Sequence, residues 1–151
     1  MELRQATSAD IGQISALVTE LVTKYIAPDC TPEGAELLLN AMTPEAFEGY
    51  LAAGYRYHVA DIAGAIVGLV GIRDNAHLYH LFVADSHQGQ GLSRRLWELA
   101  REVALAAGNE GVFTVNSALN AKDVYLRLGF VPLAGVRERA GIRDIPMELR
   151  L

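Results

Sequence analysis

The passage that most constrains the fold of this chain runs from residue 77 to 118. It reads HLYHLFVAD, the polar turn SHQGQG, the segment LSRRLWELAREVALAAG and then GVFTVNSA. Leu92, Leu96, Leu99, Ala100, Val103 and Ala107 recur at helical spacing up to Gly108, a residue suited to a helix C-cap. The flanking segments read as strands. A strand, a helix and a strand in succession need a crossover connection, so these two strands should lie parallel. The preceding sequence predicts the opposite arrangement. YRYHVADI, IVGLVGIRD and HLYHLFVAD follow one another across short turns at Ala63 and Gly64 and near Asn75, the pattern of an antiparallel meander. The class that follows is mixed α/β, with a parallel pair inside a largely antiparallel sheet.

The rest of the chain fits around that core. After an extended start at Leu3 to Ala6, Ile11, Ile14, Leu17, Val18, Leu21, Val22 and Tyr25 mark an amphipathic helix, with Thr7 or Ser8 available as its cap. The irregular stretch that follows predicts two short helices beginning near Pro32 and Pro44. Downstream, AKDVYLRLG reads as a short helix closed by Gly129, and FVPLAGVRERA and GIRDIPMELRL as two final strands. The sum is about seven strands and about four helices. With 151 residues, 51% of them hydrophobic, one buried core and one domain spanning 1–151 are expected.

Composition narrows the function. A formal net charge of -5 argues against a nucleic-acid surface. Cys30 is the only cysteine, which excludes an intramolecular disulfide and a cysteine-cluster metal site. No metal is expected. The N-terminal MELRQATSAD lacks the features of a signal peptide and no apolar run is long enough to span a bilayer, so the expectation is a cytoplasmic protein without membrane contact.

The turn HQGQGLSRRL allows two readings. Leaving a strand and opening a helix, it presents unpaired N–H groups beside the positive end of the helix dipole, a ready anion site, with Arg94 and Arg95 on the first turn. It also has the composition of an ordinary turn. A dinucleotide fingerprint would need glycine where Arg94 stands, and the Gly-Lys-Ser/Thr of nucleotide triphosphate loops is absent.

Taken together, HLYHLFVADSHQGQGLSRRLWELA resembles the acyl-CoA-binding signature of the GNAT superfamily of N-acetyltransferases, Arg/Gln-x-x-Gly-x-Gly/Ala after a strand with an aliphatic end. Val83 ends the strand, and Gln88, Gly91 and Ser93 fill the signature, Ser93 departing from its Gly/Ala. VNSALNAKDVYLRLGF is similar to the family's closing segment, with Tyr125, Gly129 and Phe130 matching. The resemblance implies a GNAT fold with a splayed parallel strand pair, acetyl-CoA as cosubstrate and direct transfer to an amine acceptor. It implies that pantetheine pairs beside Leu81, Phe82 and Val83, and that the pyrophosphate sits on Gln88, Gly89, Gln90, Gly91, Leu92, Ser93 and Arg94. The Leu81 N–H would face the thioester oxygen and Tyr125 would protonate the leaving thiolate. His77 and Tyr79 fall where some members carry residues that deprotonate the amine through water. By strand alternation 77, 79 and 81 share one face and His80 takes the other. His58 and His87 have no motif support. Ala118 replaces a pantetheine-contacting asparagine, for which Asn116 or Asn120 could substitute; Asn120 is first read as a helix N-cap. Members are often dimers, so a homodimer is among the expected partners. Residues 25 to 54 correspond to the acceptor cover, where Tyr25, Asp29, Glu33 and Glu36 lie and a carboxylate would suit a cationic amine. A non-catalytic acyl-CoA-binding module and an interaction domain are the competing readings.

Overall fold

The computed structural model describes residues 1–151. Eight strands form one mixed sheet: β1 Glu2–Gln5, β2 Arg56–Ile62, β3 Ala65–Arg73, β4 His77–Val83, β5 Val112–Ser117, β6 Val131–Pro132, β7 Arg137–Arg139 and β8 Ile142–Arg150. Five α-helices accompany them: α1 Ile11–Leu21, α2 Pro32–Asn40, α3 Pro44–Ala52, α4 Leu92–Ala106 and α5 Lys122–Leu128. The spatial order is β1-β2-β3-β4-β5-β8-β6, with β7 paired to β8. The expected counts of seven and four are each one short. The run FVPLAGVRERA splits into β6 and β7, which pair with β8 at Val131↔Glu148 and Arg137↔Asp144 on either side of an unpaired stretch. The helices begun at Pro32 and Pro44 are two separate elements, capped by Thr31 on the Gly34 amide and Thr43 on the Ala46 amide.

The meander β2-β3-β4 is antiparallel, as the short turns require. Ala63 and Gly64, and then Asp74 and Asn75, take left-handed conformations in its two turns. Thr7 caps the first helical segment: its N–H donates to Asp10 Oδ2 at 2.8 Å while the Asp10 N–H returns to the Thr7 carbonyl.

Apolar residues adjacent along the strands divide between two cores, so these lie on opposite faces of the sheet. Ala60 and Val70 join Leu96, Trp97, Phe113, Tyr125 and Phe130 under α4 and α5. Val59 and Leu69 join Ile14, Val18, Met42, Phe47 and Tyr57 under α1 and α3.

Two irregularities in β4 position everything that follows. The parallel pair β4-β5 meets only at His77↔Thr114 and Leu78↔Val115, after which the strands part. In addition, the register with β3 passes from Ile72↔Leu78 to Gly71↔His80, leaving Tyr79 without a partner of its own. This bulge overturns the expected alternation. Tyr79 and His80 have ring centroids 4.3 Å apart and Phe82 packs with His80, on the side of α1 and α3, whereas Leu81 packs on the opposite core.

The start of α2 docks on the turn of the β7-β8 hairpin, where the Thr31 N–H donates to the Gly141 carbonyl at 2.9 Å. A Cβ on Gly34 would stand 2.2 Å from the Gly141 oxygen. Gly34→Ala is therefore expected to push the two apart and to destabilise the protein by ~1–3 kcal/mol, the range for overpacked contacts. Urea unfolding of the variant checks this.

Candidate active site

Where β4 and β5 separate, an opening of about 560 Å³ passes between them. Its lining comes from both faces of the sheet: Leu21, Val22 and Met42 from the α1-α3 layer, and Leu92, Tyr125 and Leu128 from the α4-α5 layer. The volume lies within the ~300–1,000 Å³ usual for small-molecule sites.

One wall is the free edge of β4. The Ala84 N–H donates to the Val67 carbonyl at 2.8 Å, which turns the backbone of Ala84 toward β3. Polar groups alternate along an antiparallel strand, so those of Leu81 and Val83 point away from β3 into the gap and those of Phe82 toward Leu69. The Gln88 side chain donates to the Val83 carbonyl at 3.0 Å and to Asp85 at 3.3 Å, fastening the following turn to the strand end.

That turn then opens α4. Gly89 and Gly91 have φ of 74° and 77°, left-handed values that glycine alone adopts at no steric cost. The amides of Gly89, Gln90 and Gly91 donate to no backbone carbonyl, and those of Leu92, Ser93 and Arg94 occupy the first helical turn, where intrahelical acceptors are lacking. The two readings of the sequence converge here, because the turn that requires glycine is also the one that leaves a row of amides free. Gln88, Gly89, Gly91, Leu92, Ser93 and Arg94 border the cavity, whereas Gln90 does not. Arg94 donates to the Arg127 carbonyl at 2.6 Å, joining α4 to α5, and Arg127 itself reaches the cavity.

Tyr125 lies on the inner face of α5, edge-on to Phe130, with its side chain at the cavity. Burial pushes its phenol well above the usual range, so the group stays protonated at neutral pH. Asn116 and Asn120 also border the cavity. Asn116 accepts from Arg137 at 2.9 Å. Asn120 is not the helix cap it was expected to be: a 3-10 turn, Leu119–Ala121, intervenes, and Ala121 occupies the N-cap position of α5.

Across the gap stand the histidines. His77 is held by a 2.8 Å hydrogen bond between its Nδ1 and Thr114 Oγ1, and burial, aided by Arg73, lowers its pKa to about 4. Tyr79 gives its hydroxyl to Tyr50 at 3.3 Å and its ring to the cavity wall. His80, expected to face away, also reaches the cavity. It is buried against Phe47 and Tyr57, and desolvation brings its pKa to about 3. The Tyr57 hydroxyl lies 2.7 Å from its Nδ1. Burial keeps that phenol protonated, so it donates and leaves the proton of His80 on Nε2. Gly71 makes the contact feasible, since a Cβ there would come within 2.3 Å of the Tyr57 ring. His87 lines the cavity as well, whereas His58 does not.

The far wall draws on the expected cover, with Tyr25, Ile26, Leu38, Ala41 and Met42 reaching the cavity, and on a turn that helical spacing does not announce. α1 continues as a π-helical turn, Val22–Ile26, of a kind often found at functional sites. It brings Val22, Tyr25 and Ile26 to the cavity. Lys24 and the Tyr25 hydroxyl both bind Asp85 at 2.6 Å, tying this turn to the glycine loop and holding the Asp85 carboxyl below its usual range. Asp29, Glu33 and Glu36, weighed as acceptor-facing acids, do not line the cavity; Arg143 and Asp144 from the β7-β8 hairpin do.

The family model for the acetyltransferase (GNAT) domain matches residues 26–151. No match is found among curated protein sequences. Solved structures agree in fold. A GCN5-related N-acetyltransferase from Rhodopseudomonas palustris superposes with a TM-score of 0.84 at 21% identity, over 99% of this chain and 95% of its own. The PaiA N-acetyltransferase of Thermoplasma acidophilum, in complex with coenzyme A, gives 0.80 at 15% identity, over 99% and 98%. The acetyltransferase YncA of Salmonella typhimurium, with its cofactor acetyl-CoA, gives 0.68 at 24% identity, over 99% and 93%. The match over most of its length, on a mixed sheet with a parted β4-β5 pair, establishes that the chain belongs to the GNAT acetyltransferase family, a family of acyltransferases.

Proposed function

We propose that the protein transfers the acetyl group of acetyl-CoA to a primary amine by direct attack, with residues 1–151 acting as one cytoplasmic catalytic domain. The observation that carries this reading is the continuity of one cavity from the amide row at Gly89–Arg94, along the free edge of β4, to Tyr125. Pantetheine would pair with the outward-facing groups of Leu81 and Val83 as an added strand, lying beside Phe82. The pyrophosphate would rest on the glycine loop and the start of α4, with Arg94 beside it and Asn116 and Asn120 along the arm.

In that placement the Leu81 N–H donates to the thioester oxygen and stabilises the oxyanion that forms as nitrogen attacks carbonyl carbon. The C–S bond breaks as the intermediate collapses. Tyr125 gives its proton to the departing sulfur, which suits a phenol held protonated by burial. The proton lost by the amine passes to water in the cavity.

His77 and Tyr79 contribute less than their positions in the sequence suggest. With a pKa of about 4, His77 is neutral above pH 5 but a poor sink for an ammonium proton. Tyr79 and His80 shape the wall. The free amine therefore has to arise largely by its own ionisation, helped by desolvation on entry. Accordingly, kcat/KM is expected to rise with pH toward the acceptor's own pKa, without a histidine break between about pH 6 and 7. The His77→Gln variant should keep the same profile. A break near 6.5 in the wild type that the variant lacks would restore His77 as the base.

The reading as a whole is tested by free-thiol release from acetyl-CoA over a panel of amines. A rise in thermal midpoint with acetyl-CoA but no thiol release with any amine would favour a binding module instead.

A further inference from the structure

The acceptor end of the cavity has a composition that selects among amines. Its walls are Leu21, Val22, Ile26, Leu38 and Met42, facing Tyr79 and Phe82 of β4. Charge enters only from the β7-β8 hairpin. Asp144 is the one carboxylate lining the cavity, and it is already gripped by Arg137 at 2.5 Å and approached by Arg139 at 3.6 Å. Arg143 also lines the cavity, its guanidinium 3.3 Å from Glu138 and half exposed. Three arginines and two carboxylates leave the hairpin with an excess positive charge. The two wall histidines, His77 and His80, are neutral at pH 7.

Resting on the transferase reading above, we propose that the acceptor is a primary amine on an apolar, uncharged body with no second cation, as presented by an apolar amino-acid amide. Each part of the wall supports this. Aliphatic side chains recover free energy by covering an apolar body, and a second ammonium would have to be desolvated there without a free carboxylate to receive it. It would also meet the hairpin's excess charge. The absence of a strong base on the wall points the same way. The α-amine of an amino-acid derivative, with a pKa of ~8, is about one-quarter neutral near pH 7.5, whereas an alkylamine near ~10.4 is only about one-thousandth neutral. Only the neutral form attacks the thioester.

The test compares kcat/KM at pH 7.5 for leucinamide, 3-methylbutylamine and spermidine, with acetyl-CoA saturating. Leucinamide is expected to exceed spermidine by at least about tenfold, with 3-methylbutylamine between them. Arg143 is exposed, so its replacement should not disturb folding. Arg143→Glu is expected to shift the spermidine to leucinamide ratio by about tenfold toward spermidine, and Arg143→Ala by less in the same direction. Spermidine turned over as well as leucinamide by the wild type would overturn the acceptor assignment and leave the transferase reading standing. A ratio unmoved in both variants would overturn the role given to the hairpin charge. Failure of every amine, despite stabilisation by acetyl-CoA, would overturn the transferase reading and this inference with it.

Discussion

Gly91→Glu is expected to weaken acetyl-CoA binding by about 100-fold, equivalent to ~3 kcal/mol. Two effects combine. Gly91 sits at φ 77°, where a side chain costs ~1–2 kcal/mol, so the variant relaxes the loop and turns its amides out of line. The new carboxylate then stands among amides proposed to receive phosphate, where it both competes for them and repels the ligand. No atom lies within 4 Å of a Cβ built on Gly91, so the substitution meets no core contact and folding should survive. Gly91→Ala separates the two effects, because it retains the strain without the charge and should lose about tenfold or less. Calorimetric titration of acetyl-CoA into both variants measures the difference. Unchanged affinity in Gly91→Glu would remove the loop from the cofactor site.

Tyr125→Phe is expected to lower turnover by about 100-fold while changing acetyl-CoA affinity by less than about twofold. The ring, which is buried and packed edge-on to Phe130, is retained, so the core under α5 keeps its shape. Only the proton donor is lost. A variant that retained wild-type kcat would show that the thiolate leaves unassisted or takes its proton from water. A loss confined to KM would instead make Tyr125 a binding residue.

Much of this architecture is legible in the chain because it follows from local periodicity. The meander, the crossover at 77 to 118 and the helix closed by Gly129 each announce themselves through alternation, helical spacing or a terminating glycine. The glycine loop was readable for the same reason, since left-handed positions demand glycine. What alternation conceals is its own interruption. Beside the bulge at Tyr79, Gly71 of β3 leaves room for Tyr57 to fold across the strand and reach His80. No pattern within HLYHLFVAD records that partner, so alternation puts Tyr79 with Leu81, whereas the bulge puts it with His80 on the opposite face. Tertiary packing likewise decided the wall proposed for the acceptor. The acids at 29, 33 and 36 were candidates by position alone, yet the π-turn presents Tyr25 and Ile26 to the cavity, and the hairpin supplies Arg143 and Asp144 from more than a hundred residues away in sequence. Asn120 shows the reverse effect: a residue type that favours caps was displaced when a 3-10 turn delayed the helix to Lys122.

The bulge and the splay also divide the labour of the site. The splay exposes backbone groups, which suit an extended pantetheine arm. The bulge turns two consecutive rings, Tyr79 and His80, to the other face, at the end of the cavity proposed for the acceptor. In the proposed placement one strand would serve both ligands.

The central claim is acetyl transfer to an amine through a ternary complex on this strand. Its most direct test follows isotope-labelled acetyl-CoA with the purified protein and leucinamide. Label recovered in an amide, with an equal amount of free CoA and no label retained on the protein, is the predicted result. Labelled free acetate without amide, or label held covalently by the protein, would contradict it.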